Sequence, residues 1–418
     1  MPSKMSKCIW IVNYYTSSPE LASNPRYLEF ASFFQKQGYQ VLTFNSSVKH
    51  GTSISLVPKG MRFLRKQYGE FDFVHIKSPR YVGNGAKRMW SIFVFSLRLL
   101  LLRRKFPKPD VILHNLHTPF DYPIVWVSKL SRAKYVAEAW DLWPRAFANY
   151  GLISESSLVM KVAYAIERHL YCKADRIIFT MEGGIDYLRD HKWTTDTGGP
   201  IPPEKVHYIN NGINLAEFDV NRSKYPRPDE DMNDPSLYKI VYMGSIRLVN
   251  CVKEIIDAAA ILKDNPKYRF FLYGDGADRP ALEQYVKENH LDNVVFKEKR
   301  IPLWEVAWVV SQATVNLMNY EPNFGHYGAS SGKMFQYMAA GRPICCNIQL
   351  GYSEIEKHKI GISRPLSSPQ DYASAIKALA EQSDCAYREM CQRARKAAEE
   401  FDYNRLSVKE LEVIQSCL

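Results

Sequence analysis

Short apolar runs of strand length alternate with longer stretches of helical period along almost the whole chain, and after residue 235 the alternation begins again. Cys8–Val12 reads as a buried strand. Pro25–Gly38 reads as a helix with Leu28, Phe30, Phe33 and Phe34 on its apolar side and a glycine stop. Strands follow at Tyr39–Phe44, Phe71–Ile76, Asp110–Leu116, Lys134–Trp140, Arg176–Thr180 and Val206–Ile209, with helical patterns between most of them. Asn221–Pro235, with Pro226, Pro228 and a run of acids and asparagines, reads as a linker. Beyond it come strands at Tyr238–Met243, Tyr268–Tyr273, Asn293–Lys297 and Thr314–Met318, and a terminal helix over Tyr403–Cys417. Repeated strand–helix units pair parallel strands and cover both faces of a sheet. The expected fold class is therefore α/β, with two doubly wound domains, residues 1–215 and 216–402. Ligands of such sheets bind at the carboxyl ends of the strands, which points to the cleft between the domains.

With 418 residues the chain is long enough for two cores, and 46% hydrophobic and 24% charged residues are those of an ordinary soluble protein. Its eight cysteines show neither a C-x-x-C nor a paired metal spacing, which fits a reducing cytosol. The basic N-terminus is followed by an apolar run too short for a signal peptide, and no long uncharged apolar stretch is present to span a membrane. The net charge of +11 is uneven, with nine Lys or Arg and no acid from Lys77 to Lys108. Within that segment Met89–Leu102 is apolar around the whole helical wheel, the pattern of a deeply packed helix, while its basic ends suit an anionic membrane surface. No nucleic-acid motif accompanies the charge, so nucleic acid is not an expected partner.

The most informative stretch is Phe324–Cys346, FGHYGASSGKMFQYMAAGRPICC. A loop of small residues, Gly325 to Gly332, opens at Lys333 onto a helix with Met334, Phe335 and Met338 on its apolar face; Gly341 and Pro343 end it before a short strand. Backbone N–H groups and the helix dipole converge at such an entry, and Lys333 adds a full charge, so the fitting guest is a phosphate or diphosphate. A Walker loop is excluded, because three residues rather than four separate Gly328 from Gly332 and Met334 follows the lysine. A dinucleotide fingerprint is excluded by its position in the chain.

Several segments, in order, carry a resemblance: Asp110–His114 followed by His117, Asp141-Leu142-Trp143-Pro144, Asn211-Gly212-Ile213, Tyr242–Arg247, Gly274-Asp275-Gly276 and Tyr327–Pro343. The chain resembles family-4 glycosyltransferases of the GT-B fold, the kind that assemble capsule, O-antigen and exopolysaccharide. The resemblance implies retaining, metal-independent transfer of a sugar from a nucleotide-diphosphate donor, with a UDP-sugar favoured, and a C-terminal domain that holds the donor. It also implies that the helix at about 403–418 packs back on the first domain. The acceptor would be lipid-linked or a growing polysaccharide, at the cytosolic face of the membrane. No cofactor beyond the donor substrate is expected, and no metal.

Without a metal, cations and amides must stabilise the departing diphosphate. The donor-side candidates are Lys333, the amides of Ser330, Ser331 and Gly332, and Arg247, with Gly244, Ser245 and Arg300 completing the set. The family carries two glutamates with seven residues between them; here those positions are Gly328 and Gln336. Gln336 can still bind a ribose hydroxyl, whereas Gly328 supplies no acid, and Glu321 is the substitute candidate near the sugar. On the other domain Asp141 and His117 are the acceptor-side candidates, Arg26 is placed to meet the phosphates, and Glu138 is structural. A nucleotide-sugar 2-epimerase on the same architecture and a catalytically inactive, donor-binding subunit are the alternatives.

Overall fold

Cys8–Val12 (β1) is apolar and buried at every residue, as a strand covered on both faces must be. The computed structural model describes residues 6–16, 18–21, 25–49, 52, 54–83, 85–149 and 153–418; the basic residues 1–5 lie outside this set. The chain divides into two units, Met1–Asn210 with Tyr403–Leu418, and Asn211–Asp402.

In the first unit, β1 is joined by Gln40–Ser46 (β2), Phe63–Tyr68 (β3), Phe71–Ile76 (β4), Val111–Asn115 (β5), Lys134–Ala139 (β6), Arg176–Phe179 (β7) and Val206–Tyr208 (β8). Its helices are Arg26–Lys36 (α1), Ala86–Leu102 (α2), Pro123–Ser131 (α3), Arg145–Asn149 (α4), Leu158–Lys173 (α5) and Gly184–Asp190 (α6). The second unit contains Tyr238–Met243 (β9), Tyr268–Tyr273 (β10), Val294–Phe296 (β11), Val315–Met318 (β12), Ile344–Cys346 (β13) and Gly361–Ser363 (β14). Its helices are Leu215–Lys224 (α7), Glu230–Asn233 (α8), Val252–Ile261 (α9), Arg279–Glu288 (α10), Leu303–Gln312 (α11), Gly332–Ala339 (α12), Glu354–Lys357 (α13), Pro369–Ala380 (α14) and Asp384–Ala398 (α15). Tyr403–Gln415 (α16) returns to the first unit.

The strand orders are β3-β4-β2-β1-β5-β6-β7-β8 and β11-β10-β9-β12-β13-β14. All neighbours pair in parallel except β3 with β4. Both units are doubly wound, as the alternation predicts. In each, the chain goes out to one side of its first strand and then returns to the other, so the order reverses between β1 and β5 and between β9 and β12. At these points the flanking loops diverge and leave a crevice beyond the strand ends.

Three expectations need correction. Strand β3 was not anticipated: FLRKQY exposes its middle three residues and adds only an antiparallel edge, so it has no apolar run to betray it. The expected linker 221–235 holds the end of α7 and all of α8, with Met232 buried. Asp229 caps α8 and accepts Lys297 Nζ at 2.8 Å, while Arg227 pairs with Glu298 and Glu305. Asp229 and Arg227 thus tie this segment into the second unit. Finally, α2 is not buried all round. It packs through Ser91, Ile92, Phe95, Ser96, Leu99 and Leu102, and leaves Trp90 57% and Leu101 69% exposed.

Candidate active site

The second unit builds its site from loops that leave β9, β10, β11 and β12 at one edge. Gly244 N donates to Tyr273 O at 3.1 Å, Ile246 N to Asp275 O at 2.9 Å, and Gly274 N to Glu298 O at 3.2 Å. Across the crevice Glu321 N donates to Val249 O at 3.2 Å. The approach of the first two loops is possible only without side chains. A Cβ on Gly274, whose φ is +133°, would stand 1.8 Å from the Gly244 carbonyl oxygen, and one on Gly276 2.0 Å from that of Ile246. Gly274→Ala is therefore expected to push the β9 loop off its seat and destabilise the unit by roughly 2 kcal/mol or more, which urea denaturation would read. A change within 0.5 kcal/mol would refute the interlock.

Lys333 enters this crevice from the first turn of α12. Its ammonium lies 5.0 Å from the Tyr242 ring centre and 5.5 Å from that of Tyr320, and 3.2 Å from where a Cβ on Gly244 would sit. It makes no ion pair or hydrogen bond among the described residues. Although part of the side chain reaches solvent, desolvation pulls the ammonium down to about 8, opposed only by the Cys346 thiol; no carboxylate is close enough to hold it up. Ser331 heads α12 without a side-chain cap hydrogen bond, so no capping oxygen competes for the first-turn amides. The preceding loop is anchored on Ser330, whose hydroxyl accepts Asn211 Nδ2 at 2.9 Å and whose carbonyl accepts it at 3.0 Å. Tyr337, on the same helix, receives Met243 N at 3.3 Å and so ties α12 to the end of β9.

The structure places the donor-side candidates unevenly. Lys333, Gly244 and the Ser331–Gly332 entry come together. Ser245 is exposed and bonds Asn250 Oδ1 at 2.8 Å. Arg247 is exposed on the same loop, Gln336 is half-buried one turn into α12, and Glu321 is half-buried beside that loop. Arg300 is exposed beyond β11, two strands away from β9. Gly328 has φ +100°, a conformation that favours glycine over the glutamate found there in the family. Tyr242 and Asn211 stand in segments that carry the resemblance but receive no site role from the sequence, and Tyr320 is not singled out there; both tyrosines lie at strand ends, where a signal was available.

In the first unit His117 stands at the β1/β5 crevice. Its Nε2 is 3.0 Å from Asn13 Oδ1, which also accepts the amides of Tyr15 at 2.8 Å and Thr16 at 3.2 Å. That oxygen is an acceptor throughout, so Nε2 carries the hydrogen and Nδ1 keeps its lone pair. Desolvation, then the charges of His114 and Arg88, hold the imidazole well below its usual range, so it is neutral. Asp141 follows β6 with its side chain open to solvent, yet surrounding protein desolvates the carboxyl enough to raise it above the usual range, opposed by Arg88. It lines a small pocket with Thr118, Trp143 and Glu167, where the Trp143 indole N–H has no partner among the described residues and burial lifts Glu167 to about 8 despite hydrogen bonds from Tyr187 and Tyr171.

Arg26 does not reach for a ligand. It is wholly buried, donating to Glu138 Oε1 through Nε at 2.9 Å and Nη2 at 2.5 Å and to Ile209 O at 3.0 Å, with Glu410 Oε2 at 3.6 Å. The expectation that it meets phosphates is corrected, because its donors are spent inside the unit. Glu138 is structural, as expected. Among the described residues no three His, Cys, Asp or Glu side chains gather to hold a metal.

Residues 26–217 match the profile of Glycosyltransferase Family 4, and residues 238–382 that of Glycosyl transferases group 1. The chain belongs to the glycosyltransferases. The transferase is similar to a probable glycosyltransferase, WbjE, of Pseudomonas aeruginosa, at 22% identity over 74% of this chain and 75% of that one. It is also similar to TuaH of Bacillus subtilis, a putative teichuronic acid biosynthesis glycosyltransferase, at 25% identity over 64% of this chain and 63% of that one. Its fold is that of GT-B transferases. The structure of Anabaena HepE in complex with UDP and glucose matches it with TM-score 0.66 and 14% identity over 98% of this chain and 100% of that one.

Proposed function

We propose that this transferase moves a sugar from a nucleotide-diphosphate donor, UDP-sugars favoured, to a lipid-linked or polysaccharide acceptor, retaining the anomeric configuration and needing no metal. The observation that carries the donor half is the ammonium of Lys333, desolvated at a strand-order reversal without a carboxylate partner. A buried cation of that kind is stabilised by a bound anion. Cleavage of the sugar–phosphate bond places negative charge on the departing diphosphate. Lys333, the first-turn amides of α12 and Arg247 are the groups that neutralise it. Gln336 holds the ribose, and Glu321 approaches the sugar. UDP in the HepE complex supports the choice of base, and the description of TuaH as a teichuronic acid biosynthesis glycosyltransferase supports a polysaccharide product. Retention rests on the family resemblance.

On the acceptor side the neutral His117, with Nδ1 free of the proton, and Asp141 orient a hydroxyl and take its proton. A second reading, donor binding without turnover, is favoured by one observation: Gly328 and Gln336 stand where the family has its glutamate pair.

The test is thermal stabilisation by a panel of nucleotides and nucleotide sugars in EDTA. UDP or a UDP-sugar is expected to raise the melting temperature, and Lys333→Ala to abolish the shift. No shift at millimolar ligand would overturn the donor site; a shift with no sugar release from any donor tried would favour the inactive subunit. The pH dependence is fixed in sign. Anion binding favours the protonated lysine, so affinity for a UDP-sugar is expected to hold up to about pH 8, where Lys333 titrates, and then to fall by up to about tenfold per pH unit. Titration calorimetry at pH 7, 8 and 9 reads it, and a flat profile would remove Lys333 from the diphosphate.

A further inference from the structure

The outward side of α2 is not isolated. Trp90 is in ring contact with Phe93 at 5.7 Å, and Phe93 with Phe120 at 6.5 Å, in the turn that leads to α3. On α3, Tyr122 meets Trp126 at 5.5 Å, and it stacks on His169 of α5 at 5.6 Å. Apolar side chains continue outward along α3 and α5 as well: Trp126 is 47% exposed, Leu130 61%, Leu158 76% and Val162 51%. A run of this kind across three helices exceeds the scattered exposure normal for a surface.

The exposed charges borne by the three helices themselves are one-signed, although Glu155, just before α5, accepts the Tyr164 hydroxyl at 3.1 Å. The helices α2, α3 and α5 hold seven Lys and Arg, and their one acid, Glu167, is buried. Arg103, Arg104 and Lys105 follow directly after α2. His169, between α5 and α3, is held below its ordinary range by desolvation and then by Lys173 of α5 and Lys129 of α3. Tryptophan and leucine on a face rimmed by lysine and arginine match the boundary between headgroups and acyl chains of an anionic membrane. A second copy of the chain is a poor occupant, since a self-complementary interface would bring like charges together. Among the described residues no helix is long and apolar enough to cross a bilayer, so contact is by a face and not by a span.

We propose that the outer faces of α2, α3 and α5 form one docking surface for an anionic lipid bilayer. This deepens the lipid-linked acceptor reading above, but it stands on the face itself and is tested without donor or acceptor.

The experiment is co-sedimentation of the purified full chain with vesicles of phosphatidylcholine alone and of phosphatidylcholine mixed with phosphatidylglycerol. The protein is expected to pellet with the mixed vesicles at least about tenfold more strongly, and progressively less as salt rises. Trp126→Glu with Leu130→Glu, and separately Arg103→Glu with Arg104→Glu, are each expected to lower binding about tenfold or more. Both pairs are expected to leave the melting temperature and its response to UDP unchanged, since neither touches the donor site. Failure of wild type to pellet with either vesicle, or equal pelleting of wild type and both variants, overturns the proposal. A concentration-dependent dimer that Trp126→Glu with Leu130→Glu dissolves would assign the face to a second copy and overturn it as well.

Discussion

Lys333→Met is expected to abolish donor binding while raising the melting temperature of the unliganded protein. The two effects have one cause. In the free protein the ammonium is largely desolvated and has no counter-ion among the described residues, which pulls it down to about 8. A methionine of similar length keeps the contacts with Tyr242 and Tyr320 and removes the charge. The unfolded chain holds the lysine proton up to about pH 10.4. Wild-type stability should therefore rise with pH between about 8 and that value, and the variant should lack this rise. Once donor is present the preference inverts, because the diphosphate supplies the missing charge. Loss of a preorganised cation at a developing phosphate charge is expected to lower kcat by about 10²–10³-fold. Scanning calorimetry with and without a UDP-sugar checks the pair of effects. Equal destabilisation of both forms would mean that Lys333 is a packing residue.

Arg26→Met is expected to cost about 3–5 kcal/mol of the first unit's stability, the usual consequence of stripping one partner from a buried charge cluster. Glu138 would keep the Tyr27 hydroxyl but lose both guanidinium hydrogen bonds. Glu410 behaves differently. Its oxygens have no hydrogen-bond partner among the described residues, and burial, followed by the nearby Glu138, holds its carboxyl well above the usual range against the pull of Arg26. Burial thus favours the neutral form of this acid beside the Arg26–Glu138 ion pair, and Glu410→Gln is expected to be near neutral or stabilising. The sign can be checked. A carboxyl raised on folding contributes fully below its unfolded value of about 4.3 and loses that contribution as pH rises. The advantage of Glu410→Gln should therefore grow from pH 4 toward 7. Guanidinium denaturation across that range decides it, and a loss as large as that of Arg26→Met would show that Glu410 is ionised in the fold.

Much of the architecture is legible in the sequence because parallel strands buried on both faces must be continuous apolar runs, and CIWIV or VILHN announces itself. What stayed hidden lacks that pressure. Strand β3 faces solvent through Arg65, Lys66 and Gln67, and β14 is three residues long. The α2 pattern misled because a helix apolar on all sides looks the same whether protein or something else covers its outer face. Prolines between residues 221 and 235 suggested a free connector, whereas Asp229 among them caps α8 and pairs with Lys297 of the same unit. At the site, the loop-to-helix entry at Lys333 is local and readable. The rings beside its ammonium come from two other strand ends, and no spacing rule links them. Arg26 shows the reverse error: a conspicuous charge near the first loop invites a ligand, while Glu138, 112 residues away, claims it.

The first unit's core is finished by a segment encoded after the whole of the second. Tyr403, Leu406, Leu411, Val413 and Ile414 of α16 belong to the same buried cluster as Ile9, Phe30 and Ile178. During synthesis, then, residues 211–402 can reach their final form as one uninterrupted piece, while the earlier-born half waits with the Arg26 cluster and the apolar side of α1 uncovered. A ribosome that stalls or terminates near codon 402 would release a product whose younger part is sound and whose older part is sticky. Quality control would meet such a chain at its beginning, although the defect lies at its far end.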